Sequence, residues 1–223
     1  MMKLYIYEHC PFCVRPRLIA NVKSLPIPLQ VLANDDEQTH FDLIGQKIVP
    51  ILEKDDGPRM TESLDICHFI DQYDKNPIIK PSANSPIINQ IMEDLSNEAK
   101  YLTHTRQIFH PMNEVDFPTQ SAKDYFRAKK EASLGMSFER AIQDSALYAK
   151  SIQLLLDQLD QHLTYKFMTN EYFSMDDILF FPILRGLTIA LDAITLPKNV
   201  SAYLKRIYGI TDIKPYPHFM YQV

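Results

Sequence analysis

Two cysteines separated by two residues, in the run Cys10-Pro11-Phe12-Cys13, are where this sequence can do chemistry. A C-x-x-C pair supports either thiol–disulfide exchange or metal ligation. The run follows a short apolar segment, Leu4-Tyr5-Ile6-Tyr7, and opens a segment with helical periodicity. That setting puts Cys10 at the N-cap of a helix. Pro11 takes the first helical position, where its missing N–H costs nothing. Free backbone N–H groups and the positive end of the helix dipole then favour a thiolate at Cys10. Cys13, one turn further on, reaches the Cys10 sulfur from a more covered position. The expected division of labour is a low-pKa nucleophile at Cys10 and a resolving thiol at Cys13, with Pro11 and Phe12 shaping the turn between them. Arg15, Arg17 and Lys47 are candidates for further positive potential, although Arg15 and Arg17, two apart on a helix, cannot both face Cys10. His9 reads as a flanking residue rather than a base.

The competing reading of the pair is a zinc site completed by Cys67 or His68. A structural zinc site needs four ligands, usually including a second C-x-x-C. None is present, and no metal is expected. Cys67 shares a helical face with Leu64 and Ile70 and reads as a small core residue.

The elements that must position this pair follow from periodicity. Lys3 to Tyr7 reads as a strand, Pro11 to Lys23 as a helix, Leu29 to Ala33 as a second strand, and the polar stretch ending near Gly45 as a second helix. Val49 to Glu53 and a stretch around Arg59 flank Asp55-Asp56-Gly57, the signal of a hairpin. Ser63 to Tyr73 is a third helix. The order βαβαββα describes an α/β unit over residues 1–73. Residues 74–86 hold three prolines and two asparagines and read as an ordered linker. From 87 to 223 the strand signals fade. Ile87 to about His110, Ser121 to about Lys130, Ser137 to Leu163 and Met175 to Leu191 carry helical periodicity, interrupted by Asn113 to Gln120. Ser174 three residues before Asp177 is a capping box at the head of an almost wholly apolar helix, a structural role for Asp177.

Composition removes several alternatives. Five glycines, at 45, 57, 135, 186 and 209, never approach the spacing of a dinucleotide fingerprint or a P-loop. Three cysteines in 223 residues cannot staple the chain, so a hydrophobic core must hold it. The net charge of −5 argues against nucleic acid as a partner. The longest apolar run, Ile178 to Leu184, is far short of a membrane span. Glu8 falls too early for a secretory signal, and a cytoplasmic location is expected.

The C-P-F-C after Leu4-Tyr5-Ile6-Tyr7, followed by Val49-Pro50 and by Glu62-Ser63 at a helix start, resembles a glutaredoxin on a glutathione-transferase scaffold. More narrowly, Asn34-Asp35-Asp36, the stretch from Gly45 to Leu52 and Lys54-Asp55-Asp56 are similar to the bacterial glutaredoxin 2 type. So are the stretch from Lys129 to Ser133 and Asp176-Asp177-Ile178 with Phe181-Pro182. The match runs to about residue 205.

The resemblance implies a thioredoxin-like N-terminal domain, an all-helical C-terminal domain, and glutathione as co-substrate with no tightly bound cofactor. It implies a cis Val49–Pro50 bond whose turn offers the Val49 backbone to the cysteinyl part of glutathione. It gives Glu62 and Ser63 to the γ-glutamyl end. The implied activity is that of a dithiol glutaredoxin acting on protein disulfides or glutathionylated proteins, as a monomer rather than a dimer. A glutathione transferase or dehydroascorbate reductase on the same scaffold, and a non-catalytic redox-responsive scaffold, stay open as alternatives. Two features depart from the family pattern. Pro16 falls inside the first helix, where it should bend it beneath the catalytic turn. The tail from Ile207 to Val223 matches nothing in the pattern.

Overall fold

The computed structural model describes residues 2–219. The first unit runs β1 (Lys3–Ile6), α1 (Pro11–Val22), β2 (Leu29–Val31), α2 (Glu37–Ile44), β3 (Ile51–Glu53) and α3 (Ser63–Gln72). The sheet order is β2-β1-β3, with β1 parallel to β2 and antiparallel to β3. The central strand is the most apolar, and Leu4 and Ile6 are fully buried. Helices α1 and α3 lie side by side, joined through Val14, Leu18, Ile66 and Ile70 in one core.

The expected hairpin is corrected by the structure. The chain after Gly57 touches β3 through a single bridge, Leu52 with Met60, rather than forming a second strand. Pro58 has no N–H for a ladder, and the chain turns almost at once into the N-terminus of α3. Arg59 is held instead by its side chain, which donates to Glu53 Oε2 at 2.8 and 3.0 Å. The order is therefore βαβαβα.

The helical unit comprises α4 (Pro86–Gln107), α5 (Gln120–Leu134), α6 (Phe138–Gln143), α7 (Ser145–His162), α8 (Met175–Leu187) and α9 (Lys198–Gly209). The long helix expected over 137–163 is two helices, parted at Asp144. The one expected to end at Leu191 closes in a 3₁₀ turn at Thr188–Ala190. Helix α9 went unanticipated, although Val200, Tyr203, Leu204 and Ile207 are its buried residues at helical spacing. Residues 210–219 of the tail pack on the bundle through Ile213 and Tyr216, both buried. Tyr216 N donates to Thr188 Oγ1 at 3.0 Å and Arg185 Nε to the Lys214 carbonyl at 3.0 Å. Residues 220–223 lie outside the described residues.

Carboxylates pin the segment between the two units. Asp71 accepts from Ile78 N at 2.8 Å, and Asp176 accepts from Ala83 N at 3.0 Å and Ser82 Oγ at 2.5 Å. Beside it, Asp177 completes the capping box of α8. Its buried carboxylate accepts from Ser174 N, Met168 N and the Tyr203 hydroxyl at 2.9 to 3.0 Å. Asp177→Ala leaves these donors unpaired inside the bundle. It should cost about 3 kcal/mol, with the urea midpoint falling and the slope unchanged.

Candidate active site

Strand β1 ends at a tight turn, Tyr7 to Cys10, that feeds directly into α1. Cys10 is the N-cap residue, with extended backbone (φ −78°, ψ 119°), and Pro11 occupies the first turn. Cys13 N and Val14 N both donate to the Cys10 carbonyl, at 3.1 and 3.2 Å. Cys10 keeps 9% exposure while Cys13 has none. Helix α1 is continuous through the buried Pro16.

The two thiols are chemically unequal. The Cys13 thiol donates to the Cys10 sulfur, and this bond does most to lower the Cys10 pKa, to about 7. Burial opposes it, while the charge of His9 and the backbone N–H groups of Cys13 and Phe12 act in the same direction. Cys13 is pushed well up, first by burial and then by its bond to Cys10. Burial carries Cys67 up to about 12, with the Asp71 charge acting in the same direction and Arg15 opposing it. Cys67 sits in the core, with His68 exposed beside it. Alkylation of Cys10 by a neutral electrophile should therefore rise with pH and level off above about 7, falling roughly tenfold one unit below it. A rate profile with its inflection at the free-thiol value of about 8.5 would contradict this environment.

The turn is held from the helical unit, which the sequence did not disclose. Asp116, fully buried between α4 and α5, accepts from Glu8 N at 2.8 Å, His9 N at 2.9 Å and His9 Nδ1 at 2.6 Å. The His9 ring is stacked between Tyr7 and Phe117, with centroids 5.4 and 5.2 Å away. His9 thus sits beside Cys10 as an anchored group. Arg185 of α8, 1% exposed, donates to the Glu8 carbonyl at 3.2 Å and to its carboxylate at 2.6 Å.

The three candidate cations separate. Arg15 donates to Ser63 Oγ at 3.2 Å, lies 4.7 Å from the Phe12 ring centroid and interacts with Cys10. Arg17 pairs with Glu8 at 2.9 Å and favours a Cys13 thiolate. Lys47 donates to the Asn34 carbonyl at 2.5 Å and stands 3.5 Å from the Tyr125 ring centroid.

A cavity of about 320 Å³ opens above Cys10 between the two units. Cys10, Pro11, Phe12 and Val49 form one side of it, and residues of α4 and α5 the other. Phe12 is 52% exposed at its edge. The Val49–Pro50 bond is cis. Glu62 and Ser63 do not line this cavity. Glu62 is the exposed N-cap of α3 and Ser63 its buried first residue, linked to the α1 side through Arg15. The far wall, with His104, Gln107 and Tyr125, was missed. Its only trace in the sequence was the stretch from Lys129 to Ser133.

A perturbed C-x-x-C at a helix N-terminus, on a βαβαβα unit clasped by a helical bundle, defines a thiol–disulfide oxidoreductase built on the glutathione-transferase fold. Residues 4–77 match the glutathione S-transferase N-terminal domain family, and residues 87–219 the glutaredoxin 2 C-terminal domain family. The chain is 40% identical to glutaredoxin 2 of Escherichia coli strain K12 over 212 residues, 95% of this chain and 96% of that one. The crystal structure of glutaredoxin 2 from Salmonella typhimurium, in complex with glutathione, superposes with a TM-score of 0.90 at 38% identity, covering 97% of each chain. Human glutathione S-transferase T1-1 shares the fold, with a TM-score of 0.60 at 16% identity over 95% of this chain and 85% of its own. The chain belongs to the glutaredoxin 2 family, glutathione-dependent disulfide oxidoreductases. Among the described residues, no helix is long and apolar enough to cross a membrane.

Proposed function

We propose that the Cys10 thiolate attacks a disulfide or a glutathionylated protein thiol, with glutathione as co-substrate and no tightly bound cofactor. Attack on a glutathione mixed disulfide transfers the glutathionyl group to Cys10 and releases the other half as a thiolate. Free glutathione then attacks the Cys10 mixed disulfide, giving glutathione disulfide and restoring the thiolate. With a protein disulfide, the mixed disulfide joins Cys10 to the protein. Cys13 loses its proton, attacks Cys10, and expels the second protein thiolate. Each step is an exchange through a mixed disulfide, favoured by a nucleophile whose pKa lies near ambient pH. The observation that carries this reading is the asymmetry of the pair: Cys10 stands at the N-cap of α1 with 9% exposure and a lowered pKa, beside a Cys13 that has no exposure and a raised one.

Glutathione is assigned to the groove on the thioredoxin-like side. The Val49 backbone pairs with the cysteinyl part. Ser63, with Arg15 on its hydroxyl, takes the γ-glutamyl carboxylate at the N-terminus of α3, and Glu62 faces the ammonium. The supporting observations are the place of Val49 on the cavity that Cys10 lines and the Arg15–Ser63 bond. The functional units are residues 1–73 and 87–223, joined by 74–86, and the working form is a cytoplasmic monomer. The test compares turnover of a glutathione mixed disulfide with conjugation of glutathione to a chlorinated aromatic. Mixed-disulfide turnover without conjugation supports the glutaredoxin reading, and the reverse removes it.

A further inference from the structure

The wall of the cavity opposite Val49 is not used by the glutathione assignment. It is formed by His104 and Gln107 of α4 and by Tyr125, Phe126, Lys129 and Lys130 of α5. Two features point to a ligand. First, the chain carries a net charge of −5, yet no residue lining the cavity is Asp or Glu, while Lys47, Lys129 and Lys130 all line it. Lys47 is already committed to the Asn34 carbonyl and lies 3.9 Å from Glu37. Lys130 is half-buried, 5.3 Å from the Phe126 ring centroid, and Lys129 is exposed beside it. Second, Gln107 is 6% exposed and its Oε1 has no hydrogen-bond partner. His104 Nδ1 is likewise buried without a partner. A buried acceptor left unpaired costs about 1–3 kcal/mol, and an N–H on a ligand in this cavity satisfies it.

We propose that Gln107, Lys129 and Lys130, with His104, form a second-substrate subsite that takes the departing half of a mixed disulfide when that half bears a carboxylate and an amide N–H. The inference rests on the Cys10 reading above. In-line displacement on a glutathionyl sulfur drives the other sulfur away from Cys10, into the cavity. The S–S bond of the substrate breaks, the Cys10–glutathione bond forms, and the thiolate that leaves takes its proton from water. Lysines at the exit stabilise both the carboxylate and the developing thiolate. A small acidic thiol and an acidic protein segment offer this same chemistry.

The test uses glutathione mixed disulfides of N-acetylcysteine and N-acetylcysteamine, which differ only by a carboxylate. A third probe is a pentapeptide with aspartates flanking its cysteine. The N-acetylcysteine disulfide should show a kcat/KM about tenfold above its uncharged partner. The ratio should fall toward one in the Lys129→Gln, Lys130→Gln double variant. A ratio cancels any change in the Cys10 thiolate population, which a merely structural or pKa effect would alter equally for both substrates. Gln107→Leu keeps the volume and should lower both amide-bearing substrates relative to a further probe without an amide, the glutathione mixed disulfide of 2-mercaptoethanol. Preference for the small acid assigns the subsite to small thiols, and preference for the peptide assigns it to protein substrates. Equal rates with and without the carboxylate overturn the subsite and leave the Cys10 reading intact. A raised KM for glutathione with an unchanged ratio also overturns it, giving the lysines to glutathione itself. Failure to turn over any of these disulfides instead removes the Cys10 reading.

Discussion

Cys10→Ser should abolish both reactions, the release of glutathione from mixed disulfides and the reduction of protein disulfides. The expected loss is at least about a thousandfold, equivalent to roughly 4 kcal/mol of barrier. A serine hydroxyl at this N-cap keeps the turn and its hydrogen bonds, but it is not ionised near neutral pH and does not attack sulfur. Cys13 does not substitute, because it is fully buried and its thiol is held protonated. The control is thermal unfolding: the serine variant should melt with the parent. Full disulfide-reducing activity in a folded Cys10→Ser protein would falsify the assignment of the nucleophile.

Cys13→Ser should instead divide the two activities. Deglutathionylation needs only Cys10 and free glutathione, so it should persist within roughly threefold. Reduction of a protein disulfide needs an intramolecular attack to free the trapped substrate, and should drop by about a hundredfold or more. The variant should also accumulate a Cys10–substrate mixed disulfide, visible as a mass increase that reductant removes. The remaining donor at position 13 is a hydroxyl. It preserves part of the hydrogen bond to Cys10, so the pH profile should shift upward only modestly from about 7. Equal loss of both activities would mean that Cys13 serves the Cys10 environment and not resolution.

These two results bear on a site whose parts were unequally legible in the chain. The pair itself was plain, because a strand running into C-P-F-C leaves one geometry: an N-cap sulfur followed by a covered one a turn later. The route to the lowered pKa was less plain. The helix N–H groups are the local source of it, whereas the Cys13 thiol contributes most. Val49 lines the same cavity as Cys10, and Ser63 accepts a hydrogen bond from Arg15. Periodicity alone could not have paired Arg15 with Ser63, 48 positions away.

The helical half was legible as helices and little else. Helix boundaries at Asp144 and Thr188 depended on local hydrogen bonds that periodicity does not reveal, whereas α9 carries its buried apolar residues at helical spacing and was there to be read. The anticipated second hairpin strand failed because a turn signal specifies a reversal and not a ladder. The partners of Asp116 and Arg185 were invisible, since they lie 107 and 177 positions away, and so was the place of Gln107 on the cavity wall.

By itself, the sequence determined the chemistry: two thiols at a spacing that one helical turn makes adjacent, on an α/β unit too poor in glycine to cradle phosphate and too poor in cysteine to be a disulfide scaffold. Those properties are local, set by backbone geometry over a few residues. The tertiary structure decided how Cys10 is held and what lies opposite it. Asp116 and Arg185 bring the helical unit onto the turn before Cys10, and the same closure turns α4 and α5 into a lysine-lined wall above Cys10. Such contacts arise only when distant segments share a core, because burial makes each unpaired polar group costly and therefore selects its partner in space and not in sequence.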